Sequence, residues 1–95
     1  MYENLDSILN QQVRLAIVST LIKVNKADFN YLKEQTQTTQ GNLSHQLKKL
    51  KEAGYININK TFEKNYPKTY CSLTTKGKKA FEAYVKQMKK YLNLN

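Results

Sequence analysis

At 95 residues and 11.1 kDa the chain holds one small domain, 1–95, with no room for a separate sensor or catalytic module. Sixteen Lys+Arg against seven Asp+Glu leave a net charge of +9, and all of the excess falls from Lys48 onward, because Arg14, Lys23, Lys26 and Lys33 balance Glu3, Asp6, Asp28 and Glu34. A lone cysteine, Cys71, argues against a disulfide or a zinc site, no apolar run nears membrane-spanning length, and Met1-Tyr2-Glu3-Asn4 lacks the start of a secretory leader, so a cytoplasmic protein is expected.

The first helix is predicted from about Asn4 to Val24. Leu5, Ile8, Leu9, Val13, Ala16, Ile17, Leu21 and Val24 recur at helical spacing, and Asn10-Gln11-Gln12 is a polar patch able to break the helix in two. Asp28 is a good N-cap for a second helix to about Gln35, with Phe29 and Leu32 turned inward. Gln35-Thr36-Gln37-Thr38 has the composition of a turn. Thr39 then caps a third helix to Ala53, whose Leu43, Leu47 and Leu50 form one stripe, and Gly54 stops it.

After Gly54 the period changes to two. Tyr55-Ile56-Asn57-Ile58-Asn59-Lys60 alternates as a half-buried strand, Phe62 to Pro67 is a connection, and Thr69-Tyr70-Cys71-Ser72-Leu73 returns. Thr74 or Thr75 caps a last helix with Ala80, Phe81, Tyr84, Val85, Met88, Tyr91 and Leu92 on one face. The predicted fold is therefore mostly α with a small β-hairpin. It is a winged helix-turn-helix, with the helix-turn-helix over about 28–53, the wing over about 55–73 and a C-terminal helix over about 75–92.

At about 100° per residue, Gly41, His45, Lys48 and Lys49 of the third helix fall opposite its leucines, with Asn42 and Ser44 on the flanks. A helix entering a major groove needs small or hydrogen-bonding residues at its start, and Thr39, Gln40, Gly41, Asn42, Ser44 and His45 supply them. Lys48 and Lys49 lie a turn further on, where phosphates are the natural targets. In the hairpin, Lys60, Lys64 and Lys68 bracket the tip and suit phosphate or minor-groove contact. The blander alternatives are that Gly41 eases the start of the helix, that an outward histidine is merely solvated, and that the lysines guard an edge strand.

The last helix carries a wider stripe than so small a core needs. Phe81, Tyr84, Val85, Met88, Tyr91 and Leu92 therefore form the expected interface of a homodimer, ahead of a basic amphipathic helix lying on a membrane. No paired carboxylates, nucleophile–base pair or metal-ligand set marks the chain as an enzyme, and no cofactor is implied. Cys71 suits a small buried hydrophobe better than a reactive thiol.

Several stretches together resemble the small winged-helix transcriptional regulators related to MarR and ArsR proteins. They are Val13-Arg14-Leu15-Ala16-Ile17, Thr39 to Leu50, Glu52-Ala53-Gly54-Tyr55-Ile56 and Leu73-Thr74-Thr75-Lys76-Gly77. The resemblance covers nearly the whole chain and implies a dimeric, sequence-specific binder of double-stranded DNA whose third helix reads the major groove and whose wing touches the flanking backbone. The expected function is a homodimeric transcriptional regulator, a repressor before an activator, on a palindromic operator. By position its readers would be Gln40, Asn42, Ser44 and His45, with wing contacts from Lys60, Lys64 and Lys68, while Arg14 matches an arginine that is generally structural. Where the family usually has leucines around the turn, this chain has Thr36 and Thr38. The competing expectation is a winged-helix protein-interaction adaptor with only non-specific affinity for DNA. Neither an operator nor an effector ligand is legible.

Overall fold

The computed structural model describes residues 1–94. Its elements are α1 (Gln12–Val24), β1 (Lys26–Asp28), α2 (Phe29–Thr36), α3 (Gln40–Glu52), β2 (Ile56–Glu63), β3 (Tyr66–Leu73) and α4 (Thr75–Tyr91). The strands form one antiparallel sheet in the order β1-β3-β2. This is the winged helix-turn-helix expected from the residue pattern, with α2 and α3 as its helix pair and β2–β3 as its wing.

The caps set the helix boundaries. Asp28 accepts from the Tyr31 amide, Thr39 from the Asn42 amide and Thr74 from the Gly77 amide, each satisfying a donor that the first helical turn leaves free. Gly54 follows α3 at φ 80, a left-handed conformation that glycine adopts without a Cβ penalty.

The first helix begins later than its apolar spacing suggests, at Gln12 rather than near Asn4. Asp6 bends its own neighbours into a single turn, its Oδ1 accepting from the amides of Ile8 (2.8 Å) and Leu9 (3.1 Å). Gln11 then caps α1 by accepting from the Arg14 amide at 2.7 Å. The polar patch thus separates a one-turn piece from the helix proper, and Leu9 still reaches the core.

Two further differences concern the sheet. β1 was not evident in the sequence; its Ala27 pairs with Cys71, and both are buried. The wing strands also run on through what reads as a connection. Lys64 and Asn65, at φ 52 and φ 66, make a tight two-residue turn of the kind that matches strand twist, so Glu63 pairs with Tyr66 and Phe62 with Pro67. Pro67 is tolerated there because β1 ends opposite Tyr70, leaving this part of β3 with a partner on one side only.

The core gathers Ile17, Val18 and Leu21 from α1, Leu32 from α2, Leu43 and Leu50 from α3, and Cys71 from β3, together with Leu9. Each large side chain among them contributes about 1.5–3 kcal/mol by leaving water. The joint between wing and last helix is equally close. The Thr74 hydroxyl donates to the Gly54 carbonyl at 2.6 Å, and a Cβ on Gly77 would run into the Tyr55 carbonyl oxygen.

Candidate nucleic-acid interface

α3 lies with Leu43, Leu47 and Leu50 against the core and Gln40, Gly41, Ser44, His45, Lys48 and Lys49 exposed. Nothing stands within 4 Å of the place where a Cβ on Gly41 would be, so the protein itself gives no reason for the missing side chain there. The start of α3 is an open, small-residue surface of the kind that a close approach requires.

Beneath that surface runs a chain of hydrogen bonds that sequence reasoning missed. The Asn42 amide donates to the Thr38 hydroxyl at 2.7 Å, and its carbonyl accepts from Gln46 at 3.1 Å. Gln46 in turn accepts from Arg14 Nη1 at 2.6 Å, and Arg14 Nε donates to the Ile8 carbonyl at 2.6 Å. Gln46 is only 7% exposed, a polar residue in the core stripe made tolerable because its amide is engaged at both ends. The side-chain amide of Asn42 is thus engaged within the protein, at the start of α3, and Gln40, Ser44 and His45 are the outward polar groups. A helical wheel could have placed Gln46 beside Leu43, Leu47 and Leu50. No local signal points to its partner Arg14, 32 residues away.

The two threonines that replace leucines at the turn are also used. Thr36 Oγ1 donates to the Leu32 carbonyl at 2.7 Å, and Thr38 accepts from Asn42. Packing by leucine is here exchanged for hydrogen bonds, and the turn closes with Gln37 in the left-handed region.

The three wing lysines divide. Lys60 and Lys64 are exposed and, among the described residues, make no ion pair. Lys68 reaches Asp28 at 3.4 Å and Glu63 at 4.0 Å, and the Asp28 carboxylate beside it holds its ammonium above the ordinary lysine value. Asp28 thereby caps α2 with one oxygen and ties down the wing with the other.

Between α3 and the wing lies an open cleft of about 310 Å³. Asp28, Phe29 and Asn30 line it from the start of α2, Gln40 and Ser44 from α3, and Pro67, Lys68 and Thr69 from β3. Helix start and wing thus face one concavity, which brings Gln40, Ser44 and Lys68 of the sequence-predicted residues together and leaves the others outside its lining. Cys71 stays apart from it, fully buried, with burial pushing its thiol up to about 11.

On α4, Phe81, Val85 and Met88 are half-buried and Leu92 exposed, flanking with Leu15, Ser19 and Leu94 an apolar trough of about 330 Å³. Tyr91 lies away from this trough, its ring 4.9 Å from that of Tyr2 and its hydroxyl donating to the Glu3 carbonyl at 2.6 Å. Tyr84 also lines the trough but is only 5% exposed and donates to Asn10 Oδ1 at 3.1 Å, so most of its side chain packs in the core of the chain.

Known proteins share this fold. The model of a family described as a winged helix DNA-binding domain matches residues 13–92. An uncharacterised protein of Methanocaldococcus jannaschii is 42% identical over 78 residues, 82% of this chain and 85% of its own. The structure of a transcriptional regulator homologue from Pyrococcus horikoshii superposes with a TM-score of 0.84 at 26% identity, covering 90% of this chain and 85% of that one. A MarR-family regulator from Silicibacter pomeroyi shares the fold, with a TM-score of 0.69 at 14% identity over 87% of this chain and 55% of its own.

Proposed function

As the chain belongs to the winged helix DNA-binding domain family, we propose that it acts as a homodimeric, sequence-reading transcriptional repressor on a palindromic operator in the cytoplasm. The observation that carries this reading is the exposed start of α3. It has an unfilled space at Gly41 and faces the same cleft as the wing. Gln40, Ser44 and His45 offer hydrogen bonds to base edges, each good bidentate contact being worth about 1–3 kcal/mol of discrimination. Thr39 and Asn42 hold the helix start in position, Lys48 and Lys49 meet phosphates beyond it, and Lys60 and Lys64 grip the flanking backbone.

A second copy seated on the α1–α4 trough covers Phe81, Val85, Met88 and Leu92, apolar surface that the single chain leaves open. Two recognition helices would then occupy successive major grooves about 34 Å apart.

Selection of bound sequences from a random duplex pool at physiological salt tests the reading. A two-fold symmetric motif with half-sites one helical turn apart is expected. The absence of any enriched motif would overturn it in favour of an adaptor that binds a protein on α4. Salt provides a second check: with on the order of 6–10 phosphate contacts per dimer, affinity falls ~10³–10⁵-fold between 50 and 200 mM. Lys64→Ala should weaken all duplexes alike and flatten that slope.

A further inference from the structure

The most exposed aromatic side chain of the protein is Phe62, 79% open to solvent near the tip of the wing. Its position in the register is informative. Ile56, Ile58, Lys60 and Phe62 alternate along one face of β2, opposite Leu73, Cys71, Thr69 and Pro67 of β3. At its base this face covers the core, where Ile56 and Cys71 are buried. Further out it passes beyond the core, where Pro67, Lys68 and Thr69 of β3 line the cleft shared with Gln40 and Ser44. Phe62 and Pro67 are a cross-strand apolar pair on the face that continues the core side of the hairpin, with Lys60 and Lys64 on either side of Phe62 in sequence.

A large apolar ring held at the end of a basic hairpin has no folding purpose beyond one cross-strand contact with Pro67. It does match the chemistry of a minor-groove wedge, in which cations hold the backbone while an apolar side chain enters a base step and partly unstacks it. We propose that Phe62, backed by Pro67, is such a wedge, entering the minor groove beside the major-groove segment that α3 occupies. Phe62 thereby makes the protein prefer flanking steps that unstack easily, pyrimidine–purine steps such as TA and CA, with no hydrogen bond to any base. The occupant is duplex DNA because Lys60 and Lys64, which make no ion pair among the described residues, stand on the same hairpin, and Pro67 beside Phe62 lines the cleft with Gln40 and Ser44 of α3. The inference rests on the duplex-binding reading given above.

The test uses the full chain and duplexes carrying the selected motif, with 2-aminopurine placed in turn at each flanking step. Binding of the wild type should raise the 2-aminopurine fluorescence several-fold at one flanking step on each side. Exchanging that step from TA to AA or GC should lower affinity by an order of magnitude. Phe62→Ala should abolish the fluorescence rise and the step preference, leaving the motif read by α3 unchanged, and Phe62→Leu should restore part of both. Phe62 lies outside the core, so these variants are expected to keep the wild-type melting temperature. Wild-type binding without any fluorescence rise would overturn the wedge alone. So would a Phe62→Ala variant that loses affinity equally for every flanking step, since that outcome marks Phe62 as hairpin packing. Failure of the wild type to bind any duplex would instead remove the reading on which the wedge stands.

Discussion

The two parts of the interface are built by opposite means. α3 rests on fully buried Leu43 and Leu50, and its start is fastened from Thr38 through Asn42 and Gln46 to Arg14. The outer wing, from Lys60 to Lys68, has every residue exposed and is held by little more than its own ladder and the Lys68–Asp28 contact. A helix that reads base edges must arrive in one orientation, because hydrogen-bond geometry tolerates little error. A hairpin that grips backbone needs charge and reach, and can adjust on contact. On the proposed reading, the hydrogen-bonded residues beneath α3 serve the first task and the exposed Lys60 and Lys64 the second.

That contrast can be broken from the core side with the largest effect. Leu50→Ala should cost about 2–5 kcal/mol, from lost burial and the cavity left behind, whereas Phe62→Ala should stay within about 0.5 kcal/mol of wild type. Urea denaturation of both variants measures the difference. Equal losses would mean that wing and core are one cooperative packing unit.

A smaller effect is expected from the polar seat. Arg14→Ala removes two charge-assisted hydrogen bonds at 2.6 Å and leaves Gln46 without its donor, a loss of about 1.5–3 kcal/mol. Motif discrimination should fall with it, although Arg14 is a half-buried residue of α1 and no part of the outward face of α3. If the selected motif is read as sharply by Arg14→Ala as by the wild type, the hydrogen-bonded chain does not position the helix.

The smallest change in stability sharpens the comparison most. Gly41→Ala fills open space near the start of α3 and should stabilise the helix, by a few tenths up to about 1 kcal/mol. Binding to the selected duplex should weaken at the same time, because the new methyl group stands where a base edge or sugar must come close. Thermal melts and titrations on the same sample should therefore move in opposite directions. A variant that is more stable and binds unchanged would mean that Gly41 only eases the start of the helix.

How far the sequence carried this structure follows from where burial leaves a pattern. Caps at Asp28, Thr39 and Thr74 and the stop at Gly54 were legible because each is local chemistry written in one or two residues. β1 was not, since three residues are too few to display a period. The outer wing was hidden for a different reason. From Thr61 to Lys68 both faces of the hairpin meet water, so no alternation of apolar and polar residues marks it as strand. Most of the outward face of α3 could be placed from the leucine stripe alone. The role of Asn42 could not, because its meaning depends on Gln46 and, through it, on a residue from another helix.

The segment before α1 bears on how the molecule assembles itself in time. Its ties close long stretches of chain: Tyr55 to Asp6 spans 49 residues, Tyr84 to Asn10 spans 74, and Tyr91 to the Glu3 carbonyl spans 88. The α2–α3 pair and the hairpin need only short loops, so they form at smaller entropic cost and precede this strap along the folding route. The strap is thus a latch expected to fasten after the transition state. Asn10→Ala should accordingly speed unfolding and leave the folding rate unchanged in stopped-flow denaturant jumps. A slowed folding limb would place the latch in the nucleus.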